Sequence, residues 1–226
     1  EKDKFFSIIA HDLKSPFNSI IGFSELLVEK VAESNEKEIE EYAGIILQSS
    51  VRAMSLLENL MLWSRSQTGR IDYSPAHFEL VTLINEVVSL LSDTARQKSI
   101  TVSGDLPAYL PVFADKPMIS TVLRNLISNA VKFTRPGGKI VVVVNETDHD
   151  VVISVKDDGV GLSKEAREKL FRVGENFTTA GTGNEQGTGL GLILCKEFID
   201  KHGGKIWAES EHHSGSTFSF SLPLKK

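Results

Sequence analysis

Four short stretches of the chain hold residue types that can do chemistry. His11 is followed directly by Asp12. An imidazole beside a carboxylate can act as a nucleophile, because the carboxylate hydrogen-bonds one ring nitrogen and raises the nucleophilicity of the other. A lone histidine is more often a solvated surface residue, but Pro16 changes the balance. A proline inside a helix removes the bond to the carbonyl of Asp12, at a cost of about 3 kcal/mol. The helix is expected to bend just after the pair and open access to His11.

The second stretch runs from Leu123 to Phe133. Asn125, Asn129 and Lys132 fall at i, i+4 and i+7 and so share one helix face, while Val122, Leu126, Ile127, Ala130 and Phe133 cover the others. Carboxamide oxygens suit a hard cation such as Mg²⁺, which keeps waters and substrate phosphates. Lys132 would offset phosphate charge. Two solvated asparagines are the plainer reading of that spacing.

The third stretch is Asp157-Asp158-Gly159-Val160-Gly161. A carboxylate at a strand end can accept from an exocyclic amine, and Gly159 and Gly161 let backbone approach a planar ring. An ordinary Asp-Gly turn is the alternative. The fourth stretch is Gly187-Thr188-Gly189-Leu190-Gly191. Glycines before a helix N-terminus make an anion site from free N–H groups and the helix dipole. Neither a dinucleotide fingerprint in a βαβ unit nor a P-loop is present. The polar run Thr178 to Gln186 before it reads as a mobile lid.

These groups need elements to position them, and two periodicities divide the chain. Phe6, Ile9, Leu13, Pro16, Ile20, Phe23 and Leu27 form a heptad seam, with His11 on the opposite side and therefore exposed. Phe5, Ile8, Phe17 and Ile21 flank the seam, a stripe wide enough for a four-helix bundle. After a polar turn at residues 33–37, a second seam follows: Ile39, Tyr42, Ile46, Ser49, Ala53, Leu56, Leu60 and Trp63. A lone helical hairpin cannot bury both stripes, so two copies are expected to pair as a homodimer through residues 1–66.

The heptads stop near Thr68-Gly69-Arg70 and Ser74-Pro75, which sets a linker at 67–76 and a second domain at 77–226. There the pattern predicts a helix from Phe78 to Ser99 with Leu80, Leu83, Ile84, Val87, Leu90 and Leu91 on one side. It then predicts a strand at Ile100 to Ser103, a loop at Pro107 to Pro111 and a helix at Lys116 to Thr134. A hairpin follows at Lys139 to Glu146 and Val151 to Asp157, then a glycine-rich stretch to Gly187. A helix from Gly189 to His202 and strands at Lys205 to Ser210 and Ser216 to Leu222 complete an α/β sandwich with a mostly antiparallel sheet.

Composition narrows the function. The 226 residues carry a net charge of -5, which argues against bulk nucleic-acid binding. The single Cys195 excludes an internal disulfide and reads as a core residue in a reducing compartment. The histidines have no metal-ligand spacing with it. No apolar run is long enough to span a bilayer, and the first residues lack the apolar core of a signal peptide. They start inside an amphipathic pattern, as if cut from something longer.

Taken in order, the stretches resemble the cytoplasmic kinase core of sensor histidine kinases of two-component systems, over essentially the whole chain. His11 to Pro16 is similar to the phosphoacceptor box, Asn125 to Phe133 to the N box, and Asp157 to Gly161 and Gly187 to Gly191 to the two glycine boxes. Phe171 to Phe177 stands where the F box belongs but lacks its usual proline. Gly215 to Pro223 is similar to the terminal strand.

The resemblance implies a dimeric four-helix bundle followed by a GHKL (Bergerat-type) ATP-binding domain with helices on one face of the sheet. His11 would take the γ-phosphoryl group of ATP, with Asp12 as base or orienter. Asn129 with Asn125 would hold Mg²⁺, Lys132 would contact phosphate and Asp157 the adenine amine. Gly159, Gly161, Phe177, Gly187, Thr188, Gly189, Leu190, Gly191 and Thr217 would complete the nucleotide contacts. The phosphoryl group would pass to an aspartate of a response-regulator receiver domain docking near His11, in the cytoplasm and under an upstream sensor domain. Ser15 stands where strongly phosphatase-active members carry Thr or Asn. The alternative implied is a catalytically weak or phosphatase-biased signalling scaffold.

Overall fold

The computed structural model describes residues 2–32, 35–67, 72–172, 180–183, 185, 189–210 and 214–224, with the side chains of all but 2–9, 11, 32, 66 and 67. The chain forms two compact units, Glu1–Arg70 and Ile71–Lys226.

The first unit is a hairpin of α1 (Lys2–Ala32) and α2 (Glu36–Gln67). The helices run antiparallel, since the rings of Phe23 and Tyr42 lie 5.5 Å apart and Lys30 pairs with Glu38 at 3.4 Å. Every described seam residue is buried or half-buried, Pro16, Ala53, Leu56 and Trp63 most deeply. Pro16 sits inside an uninterrupted α1. The second helix begins earlier than the expected polar turn allows. Asn35 stands before it, its Oδ1 accepting from the Glu38 N–H at 3.4 Å. Glu36 and Glu38 lie in the first turn, where the helix dipole favours acids.

The second unit opens with a pair of strands that periodicity alone does not reveal. β1 (Ala76–Glu79) pairs antiparallel with β3 (Pro111–Ala114), Phe78 opposite Val112. Phe78 is thus a strand residue, and Pro111 opens a strand rather than closing a loop. Glu79 then starts α3 (Leu80–Gln97), its carboxylate accepting from the N–H groups of Val81 and Thr82. It also accepts from Leu110 N–H at 3.0 Å, which ties the helix start to the loop before β3. Slight burial works upward on the Glu79 carboxyl, but these hydrogen bonds prevail and lower its pKa to about 2. Leu80, Leu83, Ile84 and Val87 are buried as expected, whereas Leu90 is 64% exposed and belongs to the outer face of α3.

The main sheet has the order β2-β4-β5-β7-β6. Its strands are β2 (Thr101–Asp105), β4 (Lys139–Glu146), β5 (Asp150–Asp157), β6 (Ile206–Ser210) and β7 (Ser216–Pro223). Only the β2–β4 pairing is parallel. Alternation along β4 and β5 buries Ile140, Val142, Val151, Ile153 and Val155. The helices α4 (Lys116–Phe133) and α6 (Gly191–Lys201) bury Ile119, Leu123, Leu126 and Ile127, and Leu194, Phe198 and Ile199. Asp115 caps α4 by accepting from Met118 N–H at 3.0 Å. Cys195 is a buried core residue, its thiol pKa raised by burial. A short α5 (Lys164–Lys169), capped by Ser163, lies in the stretch expected to be irregular.

Candidate active site

The site of the second unit is assembled around the C-terminal half of α4. Asn125, Asn129 and Lys132 project from one face of this helix, all half-buried, while Val122, Leu123, Leu126, Ile127, Ala130 and Val131 fill the core. The Nδ2 of Asn125 donates to the Thr121 carbonyl at 3.0 Å. Its Oδ1 faces the start of α6 so closely that a Cβ on Gly191 would stand 2.5 Å from it. Asn125 and the first residue of α6 are thus close neighbours, and a side chain at Gly191 would displace the carboxamide. Lys132 lies with its Nζ 4.6 Å from the centre of the Phe133 ring.

Asp157 ends β5 and is 5% exposed. Its Oδ1 accepts from Gly159 N–H at 2.9 Å. Burial pushes its carboxyl up to about 6, against the N–H groups of Gly159 and Ser216, with Asp158 adding a smaller upward push. The next residues turn onto α4, where Val160 N–H donates to the Phe133 carbonyl at 3.2 Å. A Cβ on Gly159 would run into that same carbonyl oxygen. The close approach of β5 to α4 is thus built on a residue without a side chain. Gly161 and Gly189 take φ of 67° and 68°. Leu190 precedes α6 and offers its first turn no side-chain cap.

Asn125 thus meets Gly191, and Asp157 meets Gly159, whose backbone reaches the end of α4 just past Asn129 and Lys132, while Gly161, Gly189 and Leu190 lie in the adjoining turns. Thr217 stands apart from Asp157. The register pairs it with exposed Lys156, so it belongs to the opposite face of the sheet, and Ser216 stands across from Asp157. Counting along a strand assigns the face only when the register is known, and an offset of one residue reverses it. Phe177, Gly187 and Thr188, with residues 178, 179, 184 and 186 of the expected lid, lie outside the described residues. Phe171 follows α5 in a turn. No trio of His, Cys, Asp or Glu side chains poised for a metal exists among the described residues.

Spacing along the chain also passes over Lys98, Thr182 and Glu185. Lys98 Nζ donates to Glu185 Oε1 at 2.8 Å and to Thr182 Oγ1 at 2.7 Å. The one local signal is a lysine at the C-cap of α3, which many helices carry for the dipole alone.

In the first unit His11 and Asp12 lie within α1, together with Ser15, which is exposed; Asp12 is half-buried. The His11 side chain lies outside the described residues.

A helical hairpin bearing a histidine and an α/β domain with a carboxylate at a strand end define a two-part class. Residues 1–69 match the His kinase A (phospho-acceptor) domain. Residues 114–226 match the histidine kinase-, DNA gyrase B- and HSP90-like ATPases. The chain belongs to the sensor histidine kinases of two-component systems. It is 33% identical over 99% of its length to the adaptive-response sensory kinase SasA of Crocosphaera subtropica, and spans 59% of that relative's length. It is 31% identical over 98% of its length to the histidine protein kinase DivJ of Caulobacter vibrioides, covering 37% of it. Among solved structures, histidine kinase ThkA in complex with response regulator TrrA is similar at 28% identity and a TM-score of 0.72, covering 97% of this chain and 61% of that one. The Acinetobacter baumannii histidine kinase AdeS shares the fold, with a TM-score of 0.75 over 96% of this chain and 98% of that one, at 21% identity.

Proposed function

We propose that the chain transfers the γ-phosphoryl group of ATP to His11 and then to an aspartate of a response-regulator receiver domain. One observation carries this reading: the buried Asp157 carboxylate accepts from Gly159, whose turn packs onto the end of α4, the helix that carries Asn129 and Lys132, in a chain whose α1 bears His11-Asp12. Asp157 accepts the adenine amine, and Ser216 across the ladder flanks it. Lys132 and the first turn of α6 take the phosphates. Asn129, with Asn125, would hold Mg²⁺. The donor set fits that ion, because half-buried carboxamide oxygens are hard donors that leave room for waters and phosphate. When bound, the ion neutralises phosphate charge.

A ring nitrogen of His11 forms the new P–N bond as the bond to the β–γ bridging oxygen breaks, and ADP leaves. Asp12 accepts or holds the proton on the other ring nitrogen. Placement and charge neutralisation supply the rate. Residues 1–66 form the homodimeric phosphoacceptor, 67–76 the linker and 77–226 the ATP-binding domain. The chain acts in the cytoplasm as the kinase end of a longer protein with a sensor upstream. ThkA, solved with its response regulator TrrA, supports a receiver partner docking near His11.

Incubation with γ-labelled ATP and Mg²⁺ tests the reading. Acid-labile, base-stable label is expected on the wild type and none on His11→Gln. Label that persists in that variant removes His11 from the role.

A further inference from the structure

The C-terminal end of α4 is completed from outside the helix. A helix leaves its last four carbonyls without internal partners, and burying them unpaired is costly. Here the Ala130 carbonyl accepts from Thr134 N–H at 2.9 Å and that of Phe133 from Val160 N–H at 3.2 Å. The carbonyls of Val131 and Lys132 accept from Lys98 Nζ at 2.9 and 3.1 Å. Thr182 adds its N–H to the Lys132 carbonyl at 3.0 Å and its hydroxyl to the Thr134 carbonyl at 2.7 Å.

The same ammonium reaches forward into the segment before the second glycine box. It meets Thr182 Oγ1 and Glu185 Oε1, in a salt bridge whose side chains are 16% and 37% exposed. Glu185 closes that segment into a turn, its carbonyl accepting from Gly181 N–H at 2.8 Å and its Oε2 from Gly183 N–H at 2.7 Å. Hydrogen bonding and the Lys98 charge lower the Glu185 carboxyl pKa, against the upward pull of burial. Three N–H groups thus serve four acceptors, two on α4 and two on the segment.

We propose that Lys98 is a positioning residue for phosphate handling. It fastens Thr182 and Glu185 to the end of the helix that carries Asn129 and Lys132, and through that anchor sets the placement of the first turn of α6 toward the phosphates. The inference rests on the nucleotide site proposed above and deepens it. A cation at a helix C-terminus stabilises the helix in any case. Here it also spans to the segment preceding Gly187 to Gly191.

Two measurements on the full chain test this. Without nucleotide, hydrogen exchange at the amides of Thr182 and Gly183 is expected to quicken about tenfold in Lys98→Met and in Glu185→Gln, as loss of a charge-assisted bond predicts. Both variants are also expected to bind a non-hydrolysable ATP analogue about tenfold more weakly while keeping wild-type affinity for adenosine, which carries no phosphate. Glu185→Gln keeps the α4 end capped by Lys98, so it reports even if Lys98→Met folds poorly. Unchanged exchange in both variants overturns the clip. Faster exchange with unaltered analogue affinity, or equal losses for analogue and adenosine, overturns the positioning role. A wild type that binds neither ligand overturns the nucleotide site and this role with it, whatever the exchange shows.

Discussion

In the hairpin the described seam closes over Pro16, Ala53, Leu56 and Trp63, yet ten of the thirteen exposed large apolar residues among those described lie on its two helices. Among the described residues the second unit exposes Tyr73, Leu90 and Tyr109 of that group and closes its core over the sheet. Both units follow from amphipathic patterning, but one pattern is wider than a single hairpin can cover. On α2, Leu47, Val51, Met54 and Met61 recur at helical spacing on the uncovered side. The hairpin half therefore needs a second helical surface, the proposed twin, while the nucleotide half closes its own core.

The contrast can be broken most forcefully at that stripe. Val51→Glu combined with Met54→Glu removes two apolar side chains per protomer from the proposed interface, each worth about 2 kcal/mol of burial. Sedimentation should show a monomer, with adenosine affinity unchanged. A persisting dimer would place the interface elsewhere. In the other unit Leu126 is fully buried. Leu126→Ala should destabilise that unit by about 2–5 kcal/mol and leave the helical dimer associated, as read by calorimetry and sedimentation. Loss of both together would make the units one cooperative body.

A smaller effect concerns acid. The Asp157 carboxyl is raised to about 6 from 3.8, so its share of stability is full below 3.8 and is lost as pH rises through about 6. Binding runs the other way, because the adenine amine needs an ionised acceptor. Adenosine affinity should fall about tenfold from pH 7 to pH 5. Asp157→Asn should flatten that step, and a slope surviving in the variant would give it to another group. Smallest is Glu79→Ala, expected to cost about 1 kcal/mol as a lost helix cap in thermal unfolding. Because its carboxyl is lowered from 4.5 to about 2, the cap's contribution is present above 4.5 and is lost as pH falls toward about 2.

Much of this architecture is legible in the chain because it is local. Heptads mark both helices, alternation marks β4 and β5, and the spacing of Asn125, Asn129 and Lys132 marks one helix face. What escapes is set by distant partners. β1 and β3 are four residues each and exist through each other, so Phe78 reads as the start of the helix that follows. Thr217 and Ser216 exchange faces with the register. Lys98 meets Glu185 across a long stretch of chain, and the approach of Gly159 to Phe133 depends on where α4 ends.

The central claim is a division of labour, with phosphate accepted in one unit and nucleotide bound in the other. It is tested most directly by labelling the intact chain twice, with γ-labelled ATP and with an adenine-based photoprobe, then mapping the peptides under alkaline conditions. Phosphoryl label is expected on the peptide containing His11 and photoprobe label within residues 71–226. Phosphoryl label within 71–226, or photoprobe confined to the hairpin, would contradict it.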